Sequence, residues 1–414
     1  MSHASDFRQE STYSSTRVPV ELASTLVPAA YHDDDYHAEE IQALWRRSWV
    51  CVGVSDQVAD VGQTIVRDVG DRSIIVTRDR DDRLRAFHNV CRHRGAQLVE
   101  SDQIVTAKRF RCPYHAWAYA LSGECLGTPL FEGSDIPTDQ QAMFDMGDVK
   151  SFDRSDYGLL PVQVASWGAL VFVNLDDQAM ALEEWLGDLP DRFRNHDLAS
   201  WRVQQAQAYE IDANWKLIAE NFMEYYHLPW VHPELIKVSR MQDHHRYQGR
   251  GMYTGMTTNP ISQSGRSNWL ALPPFDGLTG DELVSGRFVH VFPNVSISVL
   301  PNHAFVMILS PTGVGHTSEH TYILTHPDTM AAEGSNDAMS ALAEFWDHVN
   351  REDIEIVERV QRGISTTDYP GGRMCYRFEE PLHRFQNMVI DRMVGVDRVP
   401  EGDPEEGIPV FGER

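Results

Sequence analysis

Two short runs place the tightest limit on this chain: Cys91-Arg92-His93-Arg94-Gly95 and Cys112-Pro113-Tyr114-His115. Each supplies one thiolate and one imidazole, and each reads as a short loop between strand-like stretches. Two cysteines with two histidines suit either zinc or an iron–sulfur centre. Zinc fingers keep their cysteines together and their histidines together, whereas here each Cys is paired with a His. The mixed order suits a [2Fe-2S] cluster in which one iron takes two thiolates and the other two imidazoles; zinc stays as the alternative. Cys51, Cys125 and Cys375 bring the cysteine total to five in 414 residues. An odd, scattered set of this kind is not a disulfide framework.

Around these runs the apolar period is two. Gln63–Val66, Ser73–Thr77 and Leu84–Phe87 read as short strands, with turns at Gly70-Asp71 and Asp81-Asp82. Residues 48–162 are therefore expected to form a small all-β domain. Residues 1–47 are expected to form an N-terminal segment, mobile to about residue 16, followed by a helix from Pro28 to Val50 that packs on the domain made by residues 163–414. Residues 163–414 make a second domain. In it Trp167–Asn174 reads as one buried strand, Leu182–His196 as a helix and Trp201–Ile211 as a strand. Phe288–Leu300, His303–Leu309 and Thr317–His326 read as further strands. Met241 to Gly286 is rich in Gly and Pro and is expected to cover a pocket. The fold class is α+β.

The stretch Asn214 to Pro233 starts with a helical pattern, Trp215, Ile218, Phe222 and Tyr225. Asn221, Glu224 and His227 fall three residues apart, which puts them on one helical face. Leu228-Pro229 is expected to end the helix and return His232 beside His227. Two imidazoles beside a carboxylate offer a non-haem metal two of its protein bonds. A hydrogen-bonded core network is the alternative.

A last long helix spans about Asp337 to Arg362, with the stripe Met339, Leu342, Trp346, Val349, Val357 and Val360. Asp353 falls in the middle of that stripe, while Asp347, Glu352 and Glu355 point to its flanks or to solvent. An acid there is costly unless it meets a cation, either a metal or a buried Arg.

The net charge of -25 argues against nucleic acid and against anionic membrane surfaces as partners. No stretch has the apolar length of a membrane span, and the start lacks the order of a signal peptide, so a cytoplasmic location is expected.

C-R-H-R-G followed by C-P-Y-H-A-W, and then N-W-K…E-N…E-x-Y-H…H-P, resembles the large (α) subunit of the Rieske non-haem iron oxygenases. The likeness runs from about Val50 to the C-terminus. It implies a Rieske domain followed by a helix-grip catalytic domain, an antiparallel sheet curved around a long helix. It also implies that Cys91 and Cys112 hold one iron of the cluster and His93 and His115 the other. Trp117, Tyr119 and Gly123 fit the same motif; Ala116 departs from the Gly common there. E-D-I-E-I-V-E-R-V resembles the helix that supplies the carboxylate ligand, so His227, His232 and Asp353 would form the two-His, one-carboxylate triad for Fe(II). Asn221 and Glu224 would be the catalytic side chains beside it. By the same resemblance the protein is a head-to-tail homotrimer, and Glu224 links His227 to His115 of the next subunit. Many relatives have Asp at that point; Glu resembles the branch that oxidises small quaternary amines.

Gly249-x-Gly251 lacks the strand-then-helix setting of a dinucleotide site. A separate flavin or iron–sulfur reductase is therefore implied, and NAD(P)H is used only through it. Tyr225, Tyr226 and Trp230 flank the iron ligands, and Tyr253, Trp269, Phe288, Phe292 and Phe305 are further pocket candidates. Aromatic walls suit a trimethylammonium group, which points to a betaine- or carnitine-like amine and O2 as substrates. Hydroxylation of an aromatic acid is the alternative. An iron–sulfur electron carrier or sensor is a third reading, opposed by the C-terminal triad.

Overall fold

The period-two stretches fold as antiparallel strands. In the computed structural model residues 6–100, 104–132, 148–237, 239–259, 272–366 and 368–398 are described. The chain divides into two compact units. One comprises Val52–Ser166 with Leu170–Asp177; the other comprises Met1–Cys51, Trp167–Ala169 and Gln178–Arg414.

The first unit is all-β. Its strands are β1 (Val50–Val54), β2 (Gln63–Val69), β3 (Arg72–Arg78), β4 (Leu84–His88), β5 (Val105–Thr106), β6 (Phe110–Arg111), β7 (Ala118–Tyr119), β8 (Cys125–Gly127), β9 (Pro161–Trp167) and β10 (Leu170–Asn174). They form a seven-stranded sheet, β1-β10-β9-β4-β3-β2-β5, and a three-stranded sheet, β6-β7-β8. Trp167–Asn174 is a hairpin rather than one strand. Gly168, at φ 56°, makes the turn in a left-handed conformation that glycine adopts without strain. The core here contains Ile75, Phe87, Phe110, Trp117, Tyr119 and Leu159, with both cluster-motif cysteines packed among them.

In the second unit the expected first helix is broken. α1 (Ala29–His32) stops at Asp33, whose carboxylate caps the backbone of Asp35 and Tyr36 to start α2 (Asp34–Ala43). The segment before it is anchored from residue 6: Tyr13 is fully buried and donates to Phe7 O at 2.8 Å. The helix expected at 182–196 is two short ones, α3 (Leu182–Leu186) and α4 (Leu189–Arg192), separated by Gly187 at φ 58°.

Seven strands follow: β11 (Arg202–Ile211), β12 (His244–Gln248), β13 (Tyr253–Thr258), β14 (Gly286–Val291), β15 (Val295–Val299), β16 (Ala304–Gly313) and β17 (His316–Thr325). They pair antiparallel in the order β11-β17-β16-β15-β14-β13-β12. Pro293 splits the expected Phe288–Leu300 strand into β14 and β15, because proline cannot donate to the ladder. Strands β12 and β13 occupy part of the stretch expected to be loop.

The remaining helices are α5 (Trp215–Phe222), α6 (Leu228–Val231), α7 (Pro327–Met330), α8 (Ser335–Ile364) and α9 (Glu380–Val394). The sheet grips α8: Tyr209 of β11 donates to Asp347 at 2.7 Å, and Phe305 of β16 stacks on Trp346 at 4.5 Å. Most of the expected α8 stripe is buried, but Val360 is exposed. The sequence reading does not anticipate α9, though Phe385, Met388 and Val389 give it a fully buried face.

Candidate metal centres and substrate cavity

The two Cys/His runs fold into matching loops. In the first, Cys91 N–H donates to Ala96 O at 2.8 Å and Gly95 N–H to Cys91 O at 3.0 Å. In the second, Cys112 N–H donates to Trp117 O at 2.8 Å and Ala116 N–H to Cys112 O at 3.1 Å. Both loops turn through the left-handed region, at Gly95 (φ 75°) and Ala116 (φ 58°). Both thiols are buried, and the rings of His93 and His115 stand 4.7 Å apart. Trp117 stacks on His93 at 5.0 Å. The Tyr119 hydroxyl accepts from Arg92 N–H at 3.0 Å, which leaves its own hydrogen for Cys91 Sγ at 3.2 Å. Gly123, at φ 94°, lies against Phe87 so closely that a Cβ would sit 2.5 Å from the ring.

Burial, with Cys112 alongside, pushes the Cys91 thiol up. Nδ1 of His93 is buried and has no hydrogen-bond partner among the described residues. A buried ring nitrogen left without a partner is costly in bare protein. The same set fits a cluster iron.

The second centre rests on a single helical turn. α5 already ends at Phe222, so Asn221, Glu224 and His227 do not share one continuous helical face as the spacing suggested. Instead Glu224 Oε2 accepts from the backbone N–H of His227 at 3.2 Å and from that of Tyr226. Pro229 opens α6 rather than closing α5, because a missing N–H is harmless in a first turn. His227 and His232 are the N-cap and C-cap of α6, which brings their rings to 5.1 Å.

Glu224 Oε1 lies 2.5 Å from Nδ1 of His227, and Glu352 Oε2 lies 2.8 Å from Nδ1 of His232. A carboxylate can only accept, so both Nδ1 atoms carry hydrogen and both Nε2 lone pairs of the neutral rings face inward. They meet Asp353 Oδ1, 2.8 Å from His232 Nε2 and 3.6 Å from His227 Nε2. The three candidate ligand atoms lie within 4.8 Å of one another. Such a set needs a positive charge among its members, a proton or a metal ion. Burial alone would lower both imidazoles. Glu224 then Asp353 outweigh it for His227, and Asp353 then Glu352 for His232, so both end above their ordinary value. Two imidazoles and one carboxylate, with the other side open, fit Fe(II).

A cavity of about 620 Å³, counting its open mouth, borders this triad. One wall is a face of α8, with Trp346, Val349, Asn350 and Asp353 at helical spacing. The other is a rung across four strands, where Met256, Phe288, Ser298 and Phe305 are successive partners. His244 also lines it, its imidazole pushed down by burial to about 4 and donating from Nδ1 to Arg240 O at 2.8 Å.

Two sequence profiles match: the Rieske [2Fe-2S] domain over residues 48–152, and the ring hydroxylating alpha subunit (catalytic domain) over residues 198–395. The chain belongs to the Rieske non-haem iron oxygenases. It is 27% identical to the glycine betaine monooxygenase oxygenase subunit of Pseudomonas aeruginosa, over 88% of each chain. It is 26% identical to the carnitine monooxygenase oxygenase subunit of Acinetobacter pittii, over 85% of this chain and 88% of that one. The crystal structure of the quaternary ammonium Rieske monooxygenase CntA in complex with L-carnitine superposes with a TM-score of 0.71 at 25% identity, over 90% of this chain and 96% of that one. The oxygenase therefore uses a [2Fe-2S] cluster and Fe(II), with NAD(P)H acting through a reductase.

Of the oxygenase's sequence-predicted residues, His227, His232, Asp353, Asn221 and Glu224 all border the cavity. Its described lining does not include Tyr225, Tyr226, Trp230 or Phe292. Tyr225 sits one layer back, stacked on His244 at 4.9 Å. Tyr226, ahead of α6, stacks on Phe378, and the α6 turn leaves Trp230 81% exposed. Phe292 is buried against Phe385 and Trp185. Trp269 lies outside the described residues. Phe288 and Phe305 do line the cavity, joined by Phe222 and Trp346. Sequence reasoning missed Glu352 because its partner, His232, lies far away in the chain. Among the described residues no helix is long and apolar enough to cross a membrane.

Proposed function

We propose that this terminal oxygenase oxidises a small N-methylated or quaternary amine, removing a methyl group as formaldehyde. The observation that carries the reading is the cavity itself. It is walled by Phe222, Phe288, Phe305 and Trp346 and ends at an inward-facing His227–His232–Asp353 set. Stacked aromatic faces attract a trimethylammonium group through their quadrupoles. The similarity to betaine and carnitine monooxygenase oxygenase subunits supports the same class.

In this reading Cys91 and Cys112 hold one iron of the cluster and His93 and His115 the other, while His227, His232 and Asp353 hold the Fe(II). When bound, the cluster supplies single electrons and the Fe(II) supplies dioxygen activation. The chain's own residues do the rest. Glu224 and Glu352 keep hydrogen on both Nδ1 atoms, so that Nε2 faces the metal. The aromatic walls hold a methyl group toward the triad and exclude water. Hydroxylation of that methyl gives a hemiaminal, which releases formaldehyde, the demethylated amine and a proton. One oxygen atom of O2 enters the product and the other leaves as water, with two electrons and two protons consumed.

The same reading makes the protein a cytoplasmic head-to-tail homotrimer, with Glu224 joining His227 to His115 of the neighbouring subunit. A separate reductase feeds it. Reductase-coupled oxygen uptake with a panel of betaines, carnitine, choline and aromatic acids tests the proposal. Formaldehyde formed in step with oxygen consumed is the expected result. Turnover of aromatic acids alone, without formaldehyde, would replace it with ring hydroxylation.

A further inference from the structure

We propose that the substrate carries a hydrogen-bond donor, a hydroxyl or an N–H, which Asn350 receives, and that Glu319 is the residue that aims Asn350. The inference deepens the amine reading above and rests on the same cavity. Asn350 lies on α8, one helical turn before Asp353, and lines the cavity while only 3% exposed. Its Nδ2 donates to Glu319 Oε1 at 2.7 Å. Glu319 is fully buried on β17, and its Oε2 has no partner among the described residues.

Burial raises the Glu319 carboxyl to about 7, so above neutral pH it is a carboxylate. A carboxylate accepts and never donates, which fixes the Asn350 amide with nitrogen toward Glu319. The opposite atom, Oδ1, is then presented away from Glu319 as an acceptor of fixed direction. An amide oxygen in an apolar cavity is costly until a donor meets it.

The other polar groups of the cavity are differently placed. The Ser239 hydroxyl is engaged by His244 Nε2 at 3.2 Å and Thr258 at 3.3 Å. The Ser298 hydroxyl can rotate to give or accept. The Asn221 amide has no hydrogen-bond partner among the described residues to hold it and can turn either way. Apart from the carboxylates Glu224 and Asp353, which serve the two imidazoles, the Asn350 oxygen is the one group among the described lining residues held to a single sense of hydrogen bond. A site built this way discriminates against an analogue with a methyl in place of the hydroxyl.

Anaerobic calorimetric titration of the iron-loaded enzyme at pH 8 with two isosteric pairs tests this. One pair is choline and n-propyltrimethylammonium; the other is benzyl alcohol and ethylbenzene. The hydroxyl member is expected to bind at least about fivefold tighter in one series or both. Asn350→Leu should bring the ratio to within about twofold. Glu319→Gln frees the amide to turn and should shrink it. The double variant Glu319→Gln/Asn350→Leu removes the buried charge and serves if the single leucine variant does not fold. A hydroxyl preference confined to the benzyl series keeps Asn350 as the acceptor and overturns the amine reading instead. No preference in either series, or a preference that survives Asn350→Leu, overturns the inference.

Discussion

Glu352 accepts from Nδ1 of His232 at 2.8 Å, one residue before the acid that approaches the other nitrogen of the same ring. Consecutive residues of α8 thus hold one imidazole from both sides. The ring cannot rotate without losing a charge-assisted hydrogen bond, and its tautomer is set before any metal arrives. Glu352→Ala is expected to weaken Fe(II) retention by about ten- to a hundredfold, a range typical of partners behind a metal-ligating histidine. Glu352→Gln, whose amide oxygen can still accept, should stay close to wild type. Competition with a chelator reads both, while the visible spectrum of the cluster should be unchanged.

Glu224 holds the other imidazole, with Oε1 2.5 Å from Nδ1 of His227. In the proposed trimer this carboxylate also meets the neighbouring cluster, so its charge matters as much as its shape. Glu224→Gln should retain cluster and mononuclear iron yet lose reductase-coupled turnover. Metal and sulfide analysis beside product assays separates the two effects. Product formation at the wild-type rate would contradict the bridging role.

Ala116 adopts φ 58°, a conformation in which its Cβ crowds the following carbonyl. The equivalent position in the first loop is Gly95, which has no Cβ to crowd. Ala116→Gly should stabilise the second loop by about 1 kcal/mol, relief of strain exceeding the entropy lost to glycine. Thermal bleaching of the cluster absorbance should shift upward, with the mononuclear site unaffected.

The features legible in the sequence are those imposed by chemistry on short spans. Cys91, His93, Cys112 and His115 stand in two short runs, and their order alone favours a cluster over zinc. Asp353 declared itself because a carboxylate interrupted an apolar helical period. Relationships between distant strands were not legible. Phe288, Ser298 and Phe305 form one rung only through the register of β14 to β16, and no local pattern encodes register between strands. The aromatics next to the candidate ligands in sequence, Tyr226 and Trp230, are the natural pocket candidates. Tyr226 stacks on Phe378 just ahead of the one-turn helix between His227 and His232, and that helix leaves Trp230 in solvent. The Trp167–Asn174 hairpin was hidden because β10 is buried along its whole length and its turn is only Gly168-Ala169.

Glu220 gives a prediction about stability against pH. It is buried on α5, where its Oε1 accepts from the Tyr31 hydroxyl at 2.7 Å and from Gln386 Nε2 at 2.9 Å. Burial raises its carboxyl to about 7, more than those hydrogen bonds and Lys216 lower it. Below about pH 4.5 the group is protonated in both folded and unfolded chains and has no effect on stability. Between there and pH 7 the unfolded chain releases the proton while the folded chain keeps it, so stability falls as pH rises. Above pH 7 the loss is complete and constant, about 3 kcal/mol at most. Glu220→Gln mimics the protonated acid and keeps the oxygen that accepts both hydrogen bonds. The variant should match wild type in thermal unfolding at about pH 4 and unfold several degrees higher at pH 8.5. An equal shift at both pH values would mean that the substitution acts through packing rather than through the buried proton.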